Sequence, residues 1–383
     1  MLDLTQLPPL SLYIHFPWCV RKCPYCDFNS HAVKNGIPEK DYVQALLRDL
    51  ENHLPDIWGR SIQTIFMGGG TPSLFSPEAM DDLFVGLRSR LNLKPDIEIT
   101  LEANPGTVEQ GKFAEFRDTG INRLSIGIQS FNEDHLQKLG RIHNRKEAIR
   151  AAELAHDAGF DNFNLDLMFG LPGQSLEQAL ADIKTAMDLE PAHLSHYQLT
   201  IEPNTLFYSQ PPQLPDEDRI WDMQTQCQHT LAERGYAHYE ISAYARAKRQ
   251  CQHNLNYWQF GDYLGIGAGA HGKISNSASQ SITRHWKHRH PQEYLAINEG
   301  QSVLAGEKPL QQDDLILEFM MNVLRLKDGV ESQLFSLHTG LPLELVEDAC
   351  NKAREQGWME PDSQRIKPTP KGQLFLNDLL GLF

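Results

Sequence analysis

The sequence predicts an α/β fold: a (β/α) barrel followed by a small, mainly helical C-terminal module. Three observations predict it. Short β-rich runs alternate with helical stretches through the first two-thirds of the chain, several of those runs end on polar residues that a plain core would not choose, and the composition shifts near 300–310. Strand–helix alternation gives a parallel sheet joined by right-handed crossovers.

In chain order, the β-rich runs are LSLYIHF (around 11–16), TIFMGG (64–69), IEITLEAN (97–104), RLSIGIQS (123–130), FNLDLMFG (163–170), HLSHYQLT (193–200) and HYEISAYA (238–245). Between them lie helix-like stretches at 40–53, 77–90, 145–158, 175–189 and 217–234, several opened by Ser, Pro or Asp and closed near Gly. NEGQSVLAGEKPLQQ then reads as a linker, which divides the chain into domains 1–300 and 301–383. The second domain offers helices at 313–325, 331–338 and 343–356, a short hairpin in WMEPDSQRIKPT and a last helix at 370–381. That order resembles a winged-helix-like module.

With 383 residues at 40% hydrophobic, the chain can bury one large core and a smaller one. Fifty acidic against 35 basic residues give a net charge of −15, which opposes the phosphate backbone and excludes nucleic acid as the main partner. The opening stretch lacks a basic region followed by a long apolar run, and no segment holds 18 uninterrupted apolar residues, so the chain is expected in the cytoplasm, unanchored.

Polar residues recur at the run ends: Glu102, Asn104, Gln129, Asp166 and Gln198. In a (β/α) barrel the C-terminal rim of the strands carries the ligand site, so the recurrence points to one polar site built from many strands. Caps facing water would explain any one of them, but explain the recurrence poorly.

Six cysteines in so long a chain do not make a disulfide scaffold. Cys227, Cys251 and Cys350 are isolated and read as buried, inert thiols. Cys19, Cys23 and Cys26 crowd into C-x3-C-x2-C directly after the first strand. Three thiolates so spaced can each take one iron of a [4Fe–4S] cluster, leaving the fourth open for the amino and carboxylate groups of S-adenosylmethionine. With His15 four residues before Cys19, a Cys3His zinc site is the alternative.

The loop, with Tyr25 before its last cysteine, resembles the radical-SAM signature. YIHFPWC, IFMGGGTPS, LEANPG, SIGIQSFN, LGRIH and NLDLMFGLPGQ, in this order, resemble the oxygen-independent coproporphyrinogen III oxidase family over nearly the whole chain. The resemblance implies a partial (β/α) barrel of the radical-SAM type, a cluster on Cys19, Cys23 and Cys26, and bound S-adenosylmethionine. Tyr13 would touch its methionine end and Tyr25 pack beside it. Gly69, Gly70 and Thr71 would let the backbone approach its aminoacyl group, unless they form a mere tight turn. Glu102 would hydrogen-bond it. Gln129, Arg141 and Asp166 match positions that in the oxidase contact this cofactor, including a second molecule of it; Arg141 could instead pair with Asp166.

Two departures point to the haem-chaperone branch of that family. Phe28 stands where the oxidase has a further cysteine, and His253-Asn254-Leu255-Asn256-Tyr257-Trp258 fits H-N-x-x-Y-W. This implies haem binding and delivery to an acceptor, of the respiratory haemoprotein kind, with transient membrane association through that acceptor. It counts against coproporphyrinogen III oxidase activity; the alternative is a radical-SAM oxidative decarboxylase of coproporphyrinogen III. No catalytic residue is assigned. Read from its residues alone, HNLNYW could ligate an iron through His253 and sandwich a flat macrocycle between Tyr257 and Trp258, or be core aromatics with a structural histidine. Cys251 is a further iron-ligand candidate or a site of covalent attachment, and His271 another ligand candidate near the barrel mouth. The C-terminal module is expected as a lid, an acceptor-docking surface or a structural cap.

Overall fold

The computed structural model describes residues 2–34, 36–106, 111–297 and 301–383. Residues 298–300, at the expected domain junction, lie outside the described residues. Six parallel strands follow one another in both sequence and space: β1 (Leu10–Phe16), β2 (Ser61–Gly69), β3 (Asn92–Ala103), β4 (Arg123–Gln129), β5 (Phe163–Phe169) and β6 (His193–Gln198). Helices return the chain between them: α1 (Glu39–His53), α2 (Pro77–Arg90), α3 (Phe113–Asp118), α4 (Glu133–Lys138), α5 (Arg145–Asp157) and α6 (Leu176–Asp188), with α7 (Glu217–Glu233) after β6.

Helix starts are written locally. Ser76 accepts from Ala79 N with Pro77 in the first turn of α2, and reciprocal capping boxes open α5 (Asn144 with Glu147) and α6 (Ser175 with Gln178). The strands are two-sided, with the alternation shifted once in β2 between Ile62 and Thr64. Leu10, Leu12, Ile14 and Phe16, and their counterparts such as Ile99 and Leu101 on β3, or Leu165 and Leu167 on β5, join one core with the helices. The alternate residues face inward and are mostly polar: Ser11, Tyr13 and His15, then Glu98, Thr100 and Glu102, then Asn164 and Asp166. The interior of the open barrel is therefore a polar column, and its upper end is the rim where the sequence places the site.

The sheet continues past both ends of the six. On one side lie β7 (Ala237–Glu240) and β8 (Ala243–Ala245); on the other β9 (Asp262–Ile266) pairs parallel with β1, followed by antiparallel β10 (His271–Asn276), β11 (Ser281–Lys287) and β12 (Leu304–Pro309). Two expectations change here. The run 238–245 is a hairpin, not one strand, because Glu240 accepts from both the Ser242 amide and hydroxyl and turns the chain. The stretch expected as a linker contributes edge strand β12. HNLNYW is a helix, α8 (Gln252–Trp258).

The C-terminal region packs α9 (Gln312–Val323), α10 (Gln333–Thr339) and α11 (Glu344–Glu355) around Leu315, Phe319, Met320, Phe335 and Val346. Val330–Glu331 pairs with Arg365–Ile366, and a Met359–Pro368 bridge completes the expected hairpin as a small wing. The last helix breaks at Phe375 into α12 (Pro370–Leu374) and α13 (Leu376–Leu380). Among the described residues no helix is long and apolar enough to cross a membrane.

Candidate functional site: a cysteine-lined cleft at the barrel rim

The cysteine loop is tied to the strand ends by backbone bonds. Gly70 N donates to Phe16 O and Thr71 N to Trp18 O, both at 2.7 Å, while Trp18–Cys19 pairs with His31–Ala32. The Trp18 ring stands edge-on to Tyr42, 4.7 Å between centroids. A Cβ on Gly70 would collide with the Trp18 carbonyl, and one on Gly69 (φ +107°) with the His15 ring. Gly70 is thus required by the loop's close packing on β2, and Gly69 by the neighbouring His15 ring of β1.

Each thiol meets a donor. Thr71 Oγ1 approaches Cys19 Sγ at 3.5 Å, Arg141 Nη1 approaches Cys23 Sγ at 3.7 Å, and Ser30 Oγ lies 3.9 Å from Cys26 Sγ. Burial raises the Cys19 and Cys26 thiols above their ordinary pKa, so metal must displace their protons as it binds. Three half-buried sulfurs on one loop, facing a common cleft and supplied with donors for thiolate charge, suit a cluster with one iron per sulfur. The Cys3His alternative lacks its histidine: both His15 nitrogens are engaged, with Tyr13 Oη and Asn29 O.

The cleft has a volume of about 490 Å³. It brings together Cys19, Cys23, Cys26, Tyr25, Gly69, Gly70, Thr71, Glu102, Gln129, Arg141 and Asp166, with Phe28 at its mouth. Tyr13 is not in its wall; it stacks on Phe66 below. Glu102 accepts from Gly69 N at 3.1 Å, and burial, reinforced by the Asp166 carboxylate, raises its pKa to about 8. Burial also raises that of Asp166, which is held by Ser125 and Asn164. The alternative Arg141–Asp166 pair does not form: Arg141 donates to Asn104 Oδ1 and Gly127 O, both at 2.6 Å. Gln129 closes β4 at φ +69°, a strained conformation for a non-glycine residue, and accepts from Tyr197 Oη at 2.9 Å. Asn104 was legible as a polar strand end, but not as the bridge that accepts from Arg141 and donates through Nδ2 to Thr71 Oγ1 at 2.8 Å. Ser30 and Tyr197 were missed; the inward parity of Tyr197 on β6 was the available signal.

The chain matches the family model of the Radical SAM superfamily over residues 13–186 and that of the HemN C-terminal domain over residues 310–375. It is 52% identical over 380 residues to heme chaperone HemW of Escherichia coli (strain K12), covering 99% of both chains, and 51% identical to that of Haemophilus influenzae, with 99% of each covered. The chain belongs to the HemW family. The Bacillus subtilis HemW is similar at 33% identity over 97% of this chain and 98% of that one. In fold, the protein is similar to coproporphyrinogen III oxidase (HemN) of Escherichia coli, with a TM-score of 0.82 and 23% identity over 98% of this chain and 90% of that one.

In this HemW-family chain, the H-N-x-x-Y-W helix lies at the opposite end of the barrel from the cysteines. Glu98 accepts from the Gln252 and His253 amides and so caps α8, while Asn256 donates to Ser11 Oγ. His253 Nδ1 meets Thr64 Oγ1 at 2.9 Å, and its ring packs 5.1 Å from Phe66. It is only 8% exposed, and burial with nearby Arg123 lowers its pKa to about 3. The sequence left His253 as either an axial-ligand candidate or a structural histidine; in the structure it is closed and packed. Trp258 turns to the C-terminal region under Arg325, 4.2 Å from guanidinium to ring, so the motif does not sandwich a macrocycle between its two aromatics. Cys251 is fully buried, whereas His271 is exposed.

Proposed function

We propose that the protein is a haem chaperone, binding haem and passing it to an acceptor protein. The observation that carries the reading is its 52% identity, over 99% of both chains, to a heme chaperone. Membership of the radical SAM superfamily implies S-adenosylmethionine and a [4Fe–4S] cluster, and we assign the cluster to Cys19, Cys23 and Cys26. When bound, the cluster would supply an open iron and a single-electron couple.

The chain's own residues do the rest. Thr71, Ser30 and Arg141 direct donors at the sulfurs, and Tyr25 walls the cleft. Glu102 and Asp166 offer carboxyls that ionise more readily beside a cationic cofactor, since a nearby positive charge lowers a carboxyl pKa. Gln129, Gly69 and Gly70 shape the rim. Residues 1–300 form the cofactor-bearing domain and 301–383 an acceptor-docking module. A respiratory haemoprotein is the proposed acceptor, reached from the cytoplasm with membrane contact through the acceptor alone. Phe28, in place of the oxidase's extra cysteine, disfavours coproporphyrinogen decarboxylation.

Anaerobic reconstitution tests the cofactor assignment. About four irons and four sulfides per chain are expected, with S-adenosylmethionine perturbing the electron paramagnetic resonance spectrum of the reduced cluster; Cys19→Ala, Cys23→Ala and Cys26→Ala should each lose the cluster. Stoichiometric zinc without iron uptake would overturn it.

A further inference from the structure

We propose that haem is ligated by His271 and lies against Trp286 and Tyr257 on the inward face of the β9–β11 extension, where buried Tyr263 backs the wall, with Arg289 placed for a propionate. The inference rests on the haem-chaperone reading above and locates its cargo.

Register puts these residues on one surface. Tyr13 pairs with Gly265 and Ser11 with Tyr263, so β9 continues the inward face of β1. Tyr263 pairs with Lys273, two residues from His271, and His271 lies directly opposite Trp286. Paired residues share a face and so do residues two apart, which carries the inward surface out of the barrel onto β10 and β11. The His271 and Trp286 rings are nearly parallel, 25° apart with centroids 6.4 Å from each other. Trp286 in turn lies over Gly306, where a Cβ would collide with the indole. Tyr257 joins this wall from α8, 5.0 Å from Tyr263, and Arg284 fixes the Tyr263 hydroxyl at 2.7 Å. The half-buried tyrosine of H-N-x-x-Y-W thus reaches the surface that the motif's histidine does not.

An axial ligand for a cargo that must leave needs an accessible imidazole with a free lone pair. His271 is exposed, and neither ring nitrogen has a hydrogen-bond partner among the described residues. His15 and His193 have both nitrogens engaged, and His253 is buried. Partial burial, then Arg284 and Arg289, lower the His271 pKa and favour the neutral ring that binds iron. The Arg289 guanidinium is exposed and has no ion-pair partner among the described residues, which suits it to a carboxylate of the cargo. The Arg289 carbonyl accepts from Asn29, whose own carbonyl holds His15, so the wall and the cysteine loop are joined through one residue.

Haemin titration of the full-length chain, read by visible absorption and resonance Raman, tests this. Wild type should bind with a histidine-ligated spectrum. His271→Gly should lose that signature and weaken binding by about tenfold or more, and added imidazole should restore it. His271→Cys should move the Soret band to a thiolate-ligated position. If folded His271→Gly and His271→Cys both bind haemin with wild-type spectrum and affinity, the assignment to His271 is wrong while the chaperone reading stands. If wild type binds no haemin, both fall.

Discussion

Glu102 is the cleft residue whose state depends most on what the cleft holds. With nothing cationic beside it, burial and Asp166 keep its pKa near 8, well above the ordinary 4.5. A carboxyl whose folded pKa is raised leaves stability complete below the unfolded pKa and erodes it as pH rises toward the folded one. Glu102→Gln should therefore melt close to wild type at about pH 5 and above it at about pH 8.5 in cofactor-free protein; equal melting temperatures at the higher pH would contradict the burial argument. Gly70 offers a steric test. In Gly70→Val the new side chain meets the Trp18 backbone, which cannot rotate away, so a loss of about 1–3 kcal/mol or more is expected with reduced cluster incorporation. Wild-type stability and iron content would show that the loop can shift. The cysteines were legible by their C-x3-C-x2-C spacing, and Glu102, Gln129 and Asp166 because polar residues at strand ends stand out against an apolar alternation. Tyr13 and His253 were harder: sequence gives their side-chain type, but not that Tyr13 lies under the cleft or that α8 docks at the far end of the strands.

The α8 element is stabilised by a group distant in sequence. Glu98, inward-facing on β3, takes two amides of its first turn. Removing a carboxylate cap typically costs about 0.5–2 kcal/mol, so Glu98→Ala should lower stability in urea by that order while leaving iron and sulfide content unchanged. An unchanged midpoint would mean that packing of Trp258 and Asn256 alone positions the helix. This cap could not be read from HNLNYW, because its donor and acceptor are some 155 residues apart. The parallel strands were legible from their apolar periodicity. The 238–245 hairpin was not, since its two arms share strand propensity and only the Glu240–Ser242 bonds mark the turn. Edge strand β12 was obscured by its Gly, Glu and Pro, which fit an exposed edge as well as they fit a linker.

At the scale of the molecule, the barrel is open, so its inward face runs from the cysteine cleft out to β11 and meets the C-terminal helices. Arg284 of β11 grips Glu318 of α9, and His338 of α10 bonds the Gln259 carbonyl just after α8. The fold class was legible because one alternation, apolar toward the helices and mainly polar inward, recurs along the parallel strands despite a register shift in β2. How the C-terminal module meets α8 rests on side-chain contacts that no periodicity encodes. These contacts connect the motif helix to the region proposed for acceptor docking. The central claim, that the molecule carries haem to another protein, is tested most directly by transfer. Anaerobically reconstituted protein with S-adenosylmethionine is loaded with haem and mixed with a haem-free respiratory haemoprotein, then both are separated and their spectra read. The haem should appear in the acceptor in its active form, and coproporphyrinogen III offered in parallel should not be decarboxylated. Haem that never leaves or never binds, together with turnover of coproporphyrinogen III to protoporphyrinogen, would contradict the claim.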